Sequence, residues 1–208
     1  MPLPATLRLP CPLSEYPPEL ATQPDGLFQA LQRILVGKEN LNIHILYTHF
    51  HWDHIQGLPF FKPIYFNTTQ MTLYSPIPSK TMLTNLDILF DGSYSPFESL
   101  LTMQARIKLE QLQGPFAIDG LKVEYVKCDH GEDLENVEDD DTYAYKFTSP
   151  EGETVCLVTD HEARPTKRNK DVVAFCRGAD MLIHDAQYAA EEYPRLKNWG
   201  HSAADMAL

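Results

Sequence analysis

The stretch Thr48-His49-Phe50-His51-Trp52-Asp53-His54 places three imidazoles and a carboxylate directly after an apolar run at residues 43–47. The run is typical of a buried strand, and Gly57 and Pro59 mark the loop that follows it. Imidazole and carboxylate ligands suit zinc and similar divalent metals. Because the chain has only 8 histidines in 208 residues, we interpret the cluster as a metal site rather than as a solvated polar loop.

The spacing of these side chains predicts two metal positions more readily than one. On a turn between a strand and a loop, His49 and His51 can point to one side. Asp53 and His54 can then reach a second position. We therefore expect a pair of divalent cations, with zinc favoured and manganese or iron as alternatives.

Further candidate site residues follow other predicted strands. The apolar segments that end at such residues are 42–47, 121–126, 154–159 and 181–183. The residues at their ends are His49 and His51, His130, Asp160 and His184. Because functional side chains collect in loops that a rigid scaffold holds in place, this convergence predicts one composite site.

The remaining segments are assigned from composition and periodicity. Residues 1–24 predict an irregular, proline-rich lead-in, and residues 25–37 predict a helix. Other predicted segments are strands at 63–66, 105–112 and 142–148 and a helix at 169–176. Residues 71–103 are either an irregular helical cover beside the site or part of the core, and we favour packing as the role of most of them. The acidic run at 132–141 lacks the spacing of an EF-hand loop, so we interpret it as a solvated loop.

Composition limits the class of protein. With 43% hydrophobic and 22% charged residues, the chain is typical of a soluble globular domain. The net charge of −12 disfavours extended nucleic acid as a partner, because phosphate backbones are bound by Lys and Arg. The four cysteines show no Cys-x-x-Cys spacing, which predicts free thiols. The absence of a transmembrane run or secretory signal predicts a cytoplasmic protein without a membrane partner.

The motif His49-x-His51-x-Asp53-His54 resembles the signature of the metallo-β-lactamase superfamily of di-metal hydrolases. The resemblance covers about residues 27–207. It implies an α/β (α+β) fold, a four-layer αβ/βα sandwich with the metals at one edge of two packed sheets. We divide the chain into the lead-in, 1–24, and a hydrolase domain of this type, 25–208.

The resemblance also implies a role for each ligand. His49, His51 and His130 would bind the first metal, and Asp53 and His54 would bind the second. Asp160 would bridge the two metals. The family pattern continues with a further strand that ends in another histidine, and it begins with strands ahead of the first helix. We therefore expect a fold that is incomplete at both ends, and the second metal depends on that last ligand.

Two later motifs are similar to the phosphodiesterase branch of the superfamily, which includes the tRNA 3′-processing endonucleases and cyclic-nucleotide phosphodiesterase-like enzymes. They are His184-Asp185-Ala186-Gln187-Tyr188 and Trp199-Gly200-His201-Ser202. The resemblance implies that His184 contacts the scissile phosphate or assists the leaving group. His201 and Asp185 would support the site, with His201 as an alternative metal ligand.

These motifs predict a metal-dependent hydrolase of a small or cyclic nucleotide phosphodiester. A hydroxide generated at the metals would attack phosphorus, Asp53 would orient it or take its proton, and His184 would protonate the leaving oxygen. A tRNA 3′-processing activity and a non-catalytic metal-binding scaffold remain alternatives. Related enzymes often form dimers, so a homodimer remains open.

Overall fold

The computed structural model describes residues 35, 38, 40–93, 96–130 and 141–207, which form two β-sheets. The first sheet has three parallel strands, β1 (Asn42–Leu46), β2 (Gln70–Ser75) and β3 (Arg106–Gln111), in that order. The second has five strands, β4 (Phe116–Ile118), β5 (Leu121–Lys127), β6 (Tyr143–Thr148), β7 (Thr154–Val158) and β8 (Met181–His184). Strands β4 to β7 are antiparallel neighbours, and β8 joins β7 in parallel.

Four α-helices have described bounds. They are α1 (Trp52–Ile55), α2 (Ser79–Asp87), α3 (Lys167–Cys176) and α4 (Tyr193–Leu196). Short 3-10 helices lie at Leu58–Phe60, Lys62–Tyr65, Leu100–Thr102 and Ala204–Met206. Within the described ranges, the chain has no helix with the length and apolarity needed to span a membrane.

The first sheet separates two apolar cores because alternate residues of a strand face opposite sides. Met71 and Leu73 of β2 pack in one buried cluster with Met82 and Leu86 of α2. Tyr74, on the opposite face of β2, belongs instead to the core between the two sheets. Helices and loops therefore cover one face of this sheet, and the second sheet covers the other.

The core between the sheets and the core under α3 complete the layers. Val123 and Tyr145 of the second sheet pack with Tyr74. On the outer face of that sheet, Ala144 and Val158 pack against Val172 of α3. The order helix, sheet, sheet, helix confirms the expected four-layer αβ/βα sandwich.

Two hydrogen bonds connect the sheets where the histidine-rich stretch leaves β1. The Tyr143 N–H donates to the Thr48 carbonyl at 3.0 Å. The buried Tyr145 hydroxyl donates to the Tyr47 carbonyl at 2.8 Å. These bonds hold the start of the histidine loop against β6, so that residues from both sheets can reach one site.

Most predicted strands are confirmed within one or two residues at each end, and two assignments are corrected. Residues 63–66 are not a strand, since Lys62–Tyr65 forms a 3-10 helix. Pro63 presets the required φ, and the Phe66 N–H donates to its carbonyl at 3.2 Å. For residues 71–103, the favoured role in core packing is confirmed, as Met82 and Leu86 show, but the alternative of an irregular helical cover is corrected because the segment includes strand β2. The predicted lead-in, almost all of the first helix and nearly all of the acidic run lie outside the described residues.

Candidate metal centre

One donor atom from each of four side chains converges at the ends of the strands. The four residues are His49, His51, His130 and Asp160, whose donor atoms all lie within 4.8 Å of one another. His49 and His51 come from the loop after β1, while His130 and Asp160 follow β5 and β7. The sandwich therefore brings together residues that are more than a hundred positions apart in the sequence.

His49 contributes a buried nitrogen to the cluster. Its side chain is 1% exposed, and its Nε2 has no hydrogen-bond partner among the residues that the structure describes. Its Nδ1 lies 3.1 Å from the Thr48 hydroxyl, which can accept a hydrogen bond from Nδ1–H and so leave the Nε2 lone pair available. Burial, and then the nearby His54, lower the pKa of His49 to about 2. The ring is therefore neutral, as a metal ligand must be.

His130 has its tautomer set by its partner. The Nδ1–H donates to the Gly200 carbonyl at 2.8 Å, and a carbonyl can only accept. The other nitrogen, Nε2, therefore presents a lone pair toward the cluster, where it lies 3.2 Å from the Nδ1 of His51. Two facing imidazole nitrogens at this distance are satisfied by a shared proton or by a cation between them.

Asp160 places one oxygen among three imidazoles. Its Oδ2 lies 3.1 Å from His54 Nε2, 3.4 Å from His49 Nε2 and 3.7 Å from His130 Nε2. Burial opposes ionisation, but the hydrogen bond and positive charge of His54 lower the pKa of Asp160 to about 2. The residue has a left-handed φ of 47°, a conformation that a residue other than glycine adopts at a cost in free energy.

Asp53 and His54 lie beside Asp160 and can form a second position. The Oδ2 of Asp53 is 3.4 Å from His54 Nε2, and its side chain is 66% exposed. Burial lowers the pKa of His54, but the hydrogen bond and charge of Asp160 more than offset this, so the pKa is raised. These three residues offer the mixed nitrogen and oxygen donors that divalent transition metals accept.

The chemistry of the donor set fits a divalent metal. The orphaned Nε2 of His49, the fixed tautomer of His130 and the ionised Asp160 all present lone pairs to one small volume. Buried polar atoms rarely lack a partner, and a cation would supply one here. His49, His51 and His130 with Asp160 would hold one metal. Asp160, Asp53 and His54 would supply ligands to a second.

His201 and His184 occupy different places relative to the cluster. The ring of His201 lies edge-on to His130, with centroids 5.1 Å apart, and its Nδ1 is 2.8 Å from the Asp185 carboxylate. His184 donates its Nδ1–H to the Asp185 carbonyl at 2.7 Å. Its ring lies edge-on to His161, with centroids 5.6 Å apart. Asp185 therefore connects to both histidines, and His201 is the one in contact with a candidate ligand.

The sequence prediction missed the residues behind the ligands. They are Asp129, His161, Glu162 and Arg164, which are joined by hydrogen bonds and ion pairs. Both nitrogens of His161 are used, since Nδ1 accepts from the Asp129 N–H at 3.0 Å and Nε2 faces Asn169 Oδ1 at 2.9 Å. A signal existed, because His161 and Glu162 directly follow Asp160, but the partners of these side chains lie in distant loops.

Comparison with known proteins gives related sequences and a common fold. The family model described as "Beta-lactamase superfamily domain" matches residues 20–208. Ribonuclease Z from Streptococcus equi subsp. zooepidemicus is 24% identical over 201 residues, which cover 76% of this chain and 63% of the relative. Ribonuclease Z from Prochlorococcus marinus is 26% identical over 204 residues, which cover 78% and 64%. The chain thus spans less than two thirds of the length of these curated relatives.

Two solved structures share the architecture. The metallo-beta-lactamase fold protein YhfI from Bacillus subtilis superposes with a TM-score of 0.55 at 15% identity, over 84% of this chain and 61% of that one. Unliganded yeast PDE1 superposes with a TM-score of 0.54 at 15% identity, over 78% and 48% of the two chains. At this level of identity the similarity concerns the fold alone.

Proposed function

The chain belongs to the beta-lactamase superfamily domain family, and from that premise we propose that it is a metal-dependent hydrolase of small phosphodiesters. The observation that carries the proposal is the convergence of His49, His51, His130 and Asp160 around the unsatisfied Nε2 of His49. When bound, divalent cations supply Lewis acidity toward phosphoryl oxygens. Zinc is the favoured metal because histidine dominates the donor set.

The exposed carboxylate of Asp53 is the proposed proton acceptor. It lies at the open side of the cluster, with a side chain 66% exposed, where water and substrate have access. A carboxylate at this place can orient an attacking water molecule and take up its proton. The same side chain can also hold the second metal, so its removal would affect both binding and turnover.

His201 and His184 compete for the role of proton donor to the leaving group. The sequence motif assigns this role to His184, and it remains a prediction. The geometry supports His201, because its ring lies against His130 and the Asp185 carboxylate holds its Nδ1. A carboxylate that accepts one imidazole N–H orients the ring and stabilises its protonated form, which suits an acid. We assign His201 to the leaving group and leave His184 as the alternative.

A nucleotide is the favoured substrate class. The chain has two tryptophans, and both side chains are exposed, Trp52 at 56% and Trp199 at 68%. Trp52 directly follows His51, and Trp199 directly precedes Gly200, which accepts the hydrogen bond from His130. Exposed aromatic rings stack on nucleobases with a gain of about 1–3 kcal/mol per base.

The Ribonuclease Z relatives favour a second candidate, tRNA 3′ processing. A net charge of −12 opposes it, because an RNA backbone needs cationic partners. Within the basic group around residues 164–170, Arg164 forms an ion pair with Asp129, and Lys167 forms one with Asp171 at 2.6 Å. These pairs reduce the positive charge available to a phosphate backbone, so we rank the small substrate first.

A substrate panel tests the proposal. The zinc- or manganese-loaded protein is incubated with bis-p-nitrophenyl phosphate, 2′,3′- and 3′,5′-cyclic nucleotides and a precursor tRNA, with Asp160→Asn as the inactive control. Hydrolysis of the small diesters by the wild type alone supports the proposal. Cleavage of the precursor tRNA without cyclic-nucleotide turnover would instead support tRNA 3′ processing. A metal-loaded protein that cleaves none of them would be the non-catalytic scaffold.

A further inference from the structure

A fully buried carboxylate outside the ligand set, Glu162, lies two residues beyond Asp160. Its Oε1 accepts hydrogen bonds from the Tyr193 hydroxyl at 2.7 Å and from the Asn198 N–H at 2.9 Å. Its Oε2 accepts from the Gly200 N–H at 3.1 Å. A buried carboxylate costs free energy unless its oxygens are satisfied, and these three donors satisfy them together with the Arg164 guanidinium, whose Nε lies 3.9 Å from Oε2. These bonds stabilise the Glu162 carboxylate, and they also hold the Tyr193 side chain and the backbone at Asn198 and Gly200 in place.

The turn that Glu162 holds has an unfavourable backbone conformation. Asn198 and Gly200 both have left-handed φ values, of 71° and 87°. A non-glycine residue such as Asn198 adopts this conformation at some cost. The two backbone N–H bonds to Glu162 stabilise the turn that carries the Gly200 carbonyl.

That carbonyl is the group that orients His130. It accepts the Nδ1–H of His130 at 2.8 Å, which leaves the Nε2 lone pair facing the cluster. Ligating histidines in metalloproteins commonly donate their second N–H to a backbone carbonyl or a carboxylate. Here the carbonyl depends in turn on the buried carboxylate. Glu162 therefore acts on a candidate ligand through one intervening residue.

The same loop also fixes the backbone next to His130. The Glu162 N–H donates to the Asp129 carbonyl at 2.7 Å. Arg164 pairs with Asp129 Oδ1, and the Thr166 hydroxyl donates to Asp129 Oδ2 at 2.7 Å. His130 is thus held at its backbone by the 162–166 segment and at its ring by Gly200. Both supports meet at Glu162.

We propose that Glu162 is the positioning residue that sets the tautomer and direction of His130 for metal binding. The inference rests on the proposed metal centre, and it adds a residue that does not itself touch metal or substrate. It also couples two ligands. Asp160 and Glu162 belong to one short loop, so a shift that moves Asp160 also moves the support of His130.

The isosteric change Glu162→Gln tests the link. The amide retains one acceptor oxygen, and its NH₂ group would face the Asn198 or Gly200 N–H, where two donors oppose each other. We expect the Gly200 carbonyl to turn away and His130 to lose its fixed tautomer. Removal of a hydrogen bond that orients a ligand typically weakens metal binding about 10- to 100-fold, and we expect a loss in this range.

The full chain is first treated with chelator, and Co²⁺ binding is then measured from the visible absorption of the bound ion. The affinity for Zn²⁺ is measured by competition. Tyr193→Phe is the matched control, because it removes one donor to Glu162 but keeps both backbone N–H bonds. Gly200→Ala is an independent second route, because alanine is strained at a φ of 87° and displaces the same carbonyl. The thermal midpoint of each metal-free variant reports folding separately.

The expected result is weaker binding and an altered Co²⁺ spectrum in Glu162→Gln and Gly200→Ala, with Tyr193→Phe close to wild type. If Glu162→Gln does not fold, Gly200→Ala still tests the link through the carbonyl, and wild-type affinity and spectrum in that variant would overturn the proposal. Folded variants with wild-type affinity and spectrum would overturn the positioning role and leave the metal centre intact. A wild type that binds neither metal would overturn both.

Discussion

The Nε2 of the buried His49 and the Oδ2 of Asp160 face each other at 3.4 Å, and within the described part of the chain His49 Nε2 has no hydrogen-bond partner. Because burial lowers the pKa of His49 to about 2, its ring is neutral near neutral pH. In the tautomer whose Nδ1–H donates to the Thr48 hydroxyl, the Nε2 carries a lone pair. The pKa of Asp160 is also lowered to about 2, so its oxygen is charged. Two electron-rich atoms in this position repel each other unless a cation lies between them.

A metal should therefore stabilise the fold, and His49→Ala should abolish the effect. A ligand present at 100 times its dissociation constant stabilises the folded state by about 2.7 kcal/mol. Differential scanning fluorimetry with and without zinc, after chelation, measures the shift in thermal midpoint. His44→Ala is the matched control, since His44 contacts Tyr74 at 2.9 Å outside the cluster. An equal zinc-induced shift in both variants would contradict the assignment.

His201→Ala and His184→Ala separate the two candidate proton donors. General acid catalysis typically contributes about 10²- to 10⁴-fold, so we expect His201→Ala to lower kcat within this range. His184→Ala should have a smaller effect, because its Nδ1–H donates to a neutral backbone carbonyl, which stabilises a protonated ring less than the carboxylate beside His201 does. A substrate with a good leaving group, such as p-nitrophenolate, should rescue the donor variant. Rescue of His184→Ala alone would reverse the assignment.

Trp52 should report nucleotide binding directly. Stacking of a base on this exposed ring should quench part of the tryptophan emission when a nucleoside monophosphate is added. Inorganic phosphate and ribose phosphate, which lack the base, should leave the emission unchanged. The Trp199→Phe variant isolates the signal of Trp52, because the chain contains only these two tryptophans. Equal quenching by ribose phosphate would exclude a base contact.

We expect the hydrogen bonds of Asp180 to make a contribution to stability that depends on pH and is independent of the metal. Its Oδ2 accepts from the Thr154 N–H at 2.7 Å and from the Thr154 hydroxyl at 2.9 Å, which lowers the pKa of Asp180. A carboxyl whose pKa is lowered on folding stabilises the protein above its unfolded pKa of about 3.9, and the contribution is lost as the pH falls further. Chemical unfolding of Asp180→Asn should therefore show a deficit at pH 7 that shrinks toward pH 3. A deficit that is constant with pH would exclude this linkage.

The sequence predicts correctly those parts of the fold whose secondary structure has a strong local pattern. The apolar runs predicted β1, β5, β7 and β8, and the residues after them are the ones that converge. It failed where local preference is weak or misleading. Pro63 and the aromatic residues after it have a composition typical of a strand, but the proline favours a 3-10 turn.

The hydrogen bonds that hold the ligands in place could not be predicted from local sequence patterns. Glu162 and Gly200 are 38 residues apart, and their contact depends on two loops that the sandwich brings together. Asp129 directly precedes His130, yet its partners Arg164 and Thr166 lie in the loop after β7. Spacing in a sequence can indicate ligands on one loop, but it carries no signal for partners that only tertiary packing selects.

The most direct test of the central claim is a measurement of phosphodiester hydrolysis on one preparation before chelation, after chelation and after metal is restored. Metal content per chain is determined in parallel by mass spectrometry. We expect bound divalent metal, turnover of bis-p-nitrophenyl phosphate that disappears with the metal, and recovery when zinc or manganese returns. Turnover that persists without metal, or stoichiometric metal without turnover of any phosphodiester, would contradict the claim.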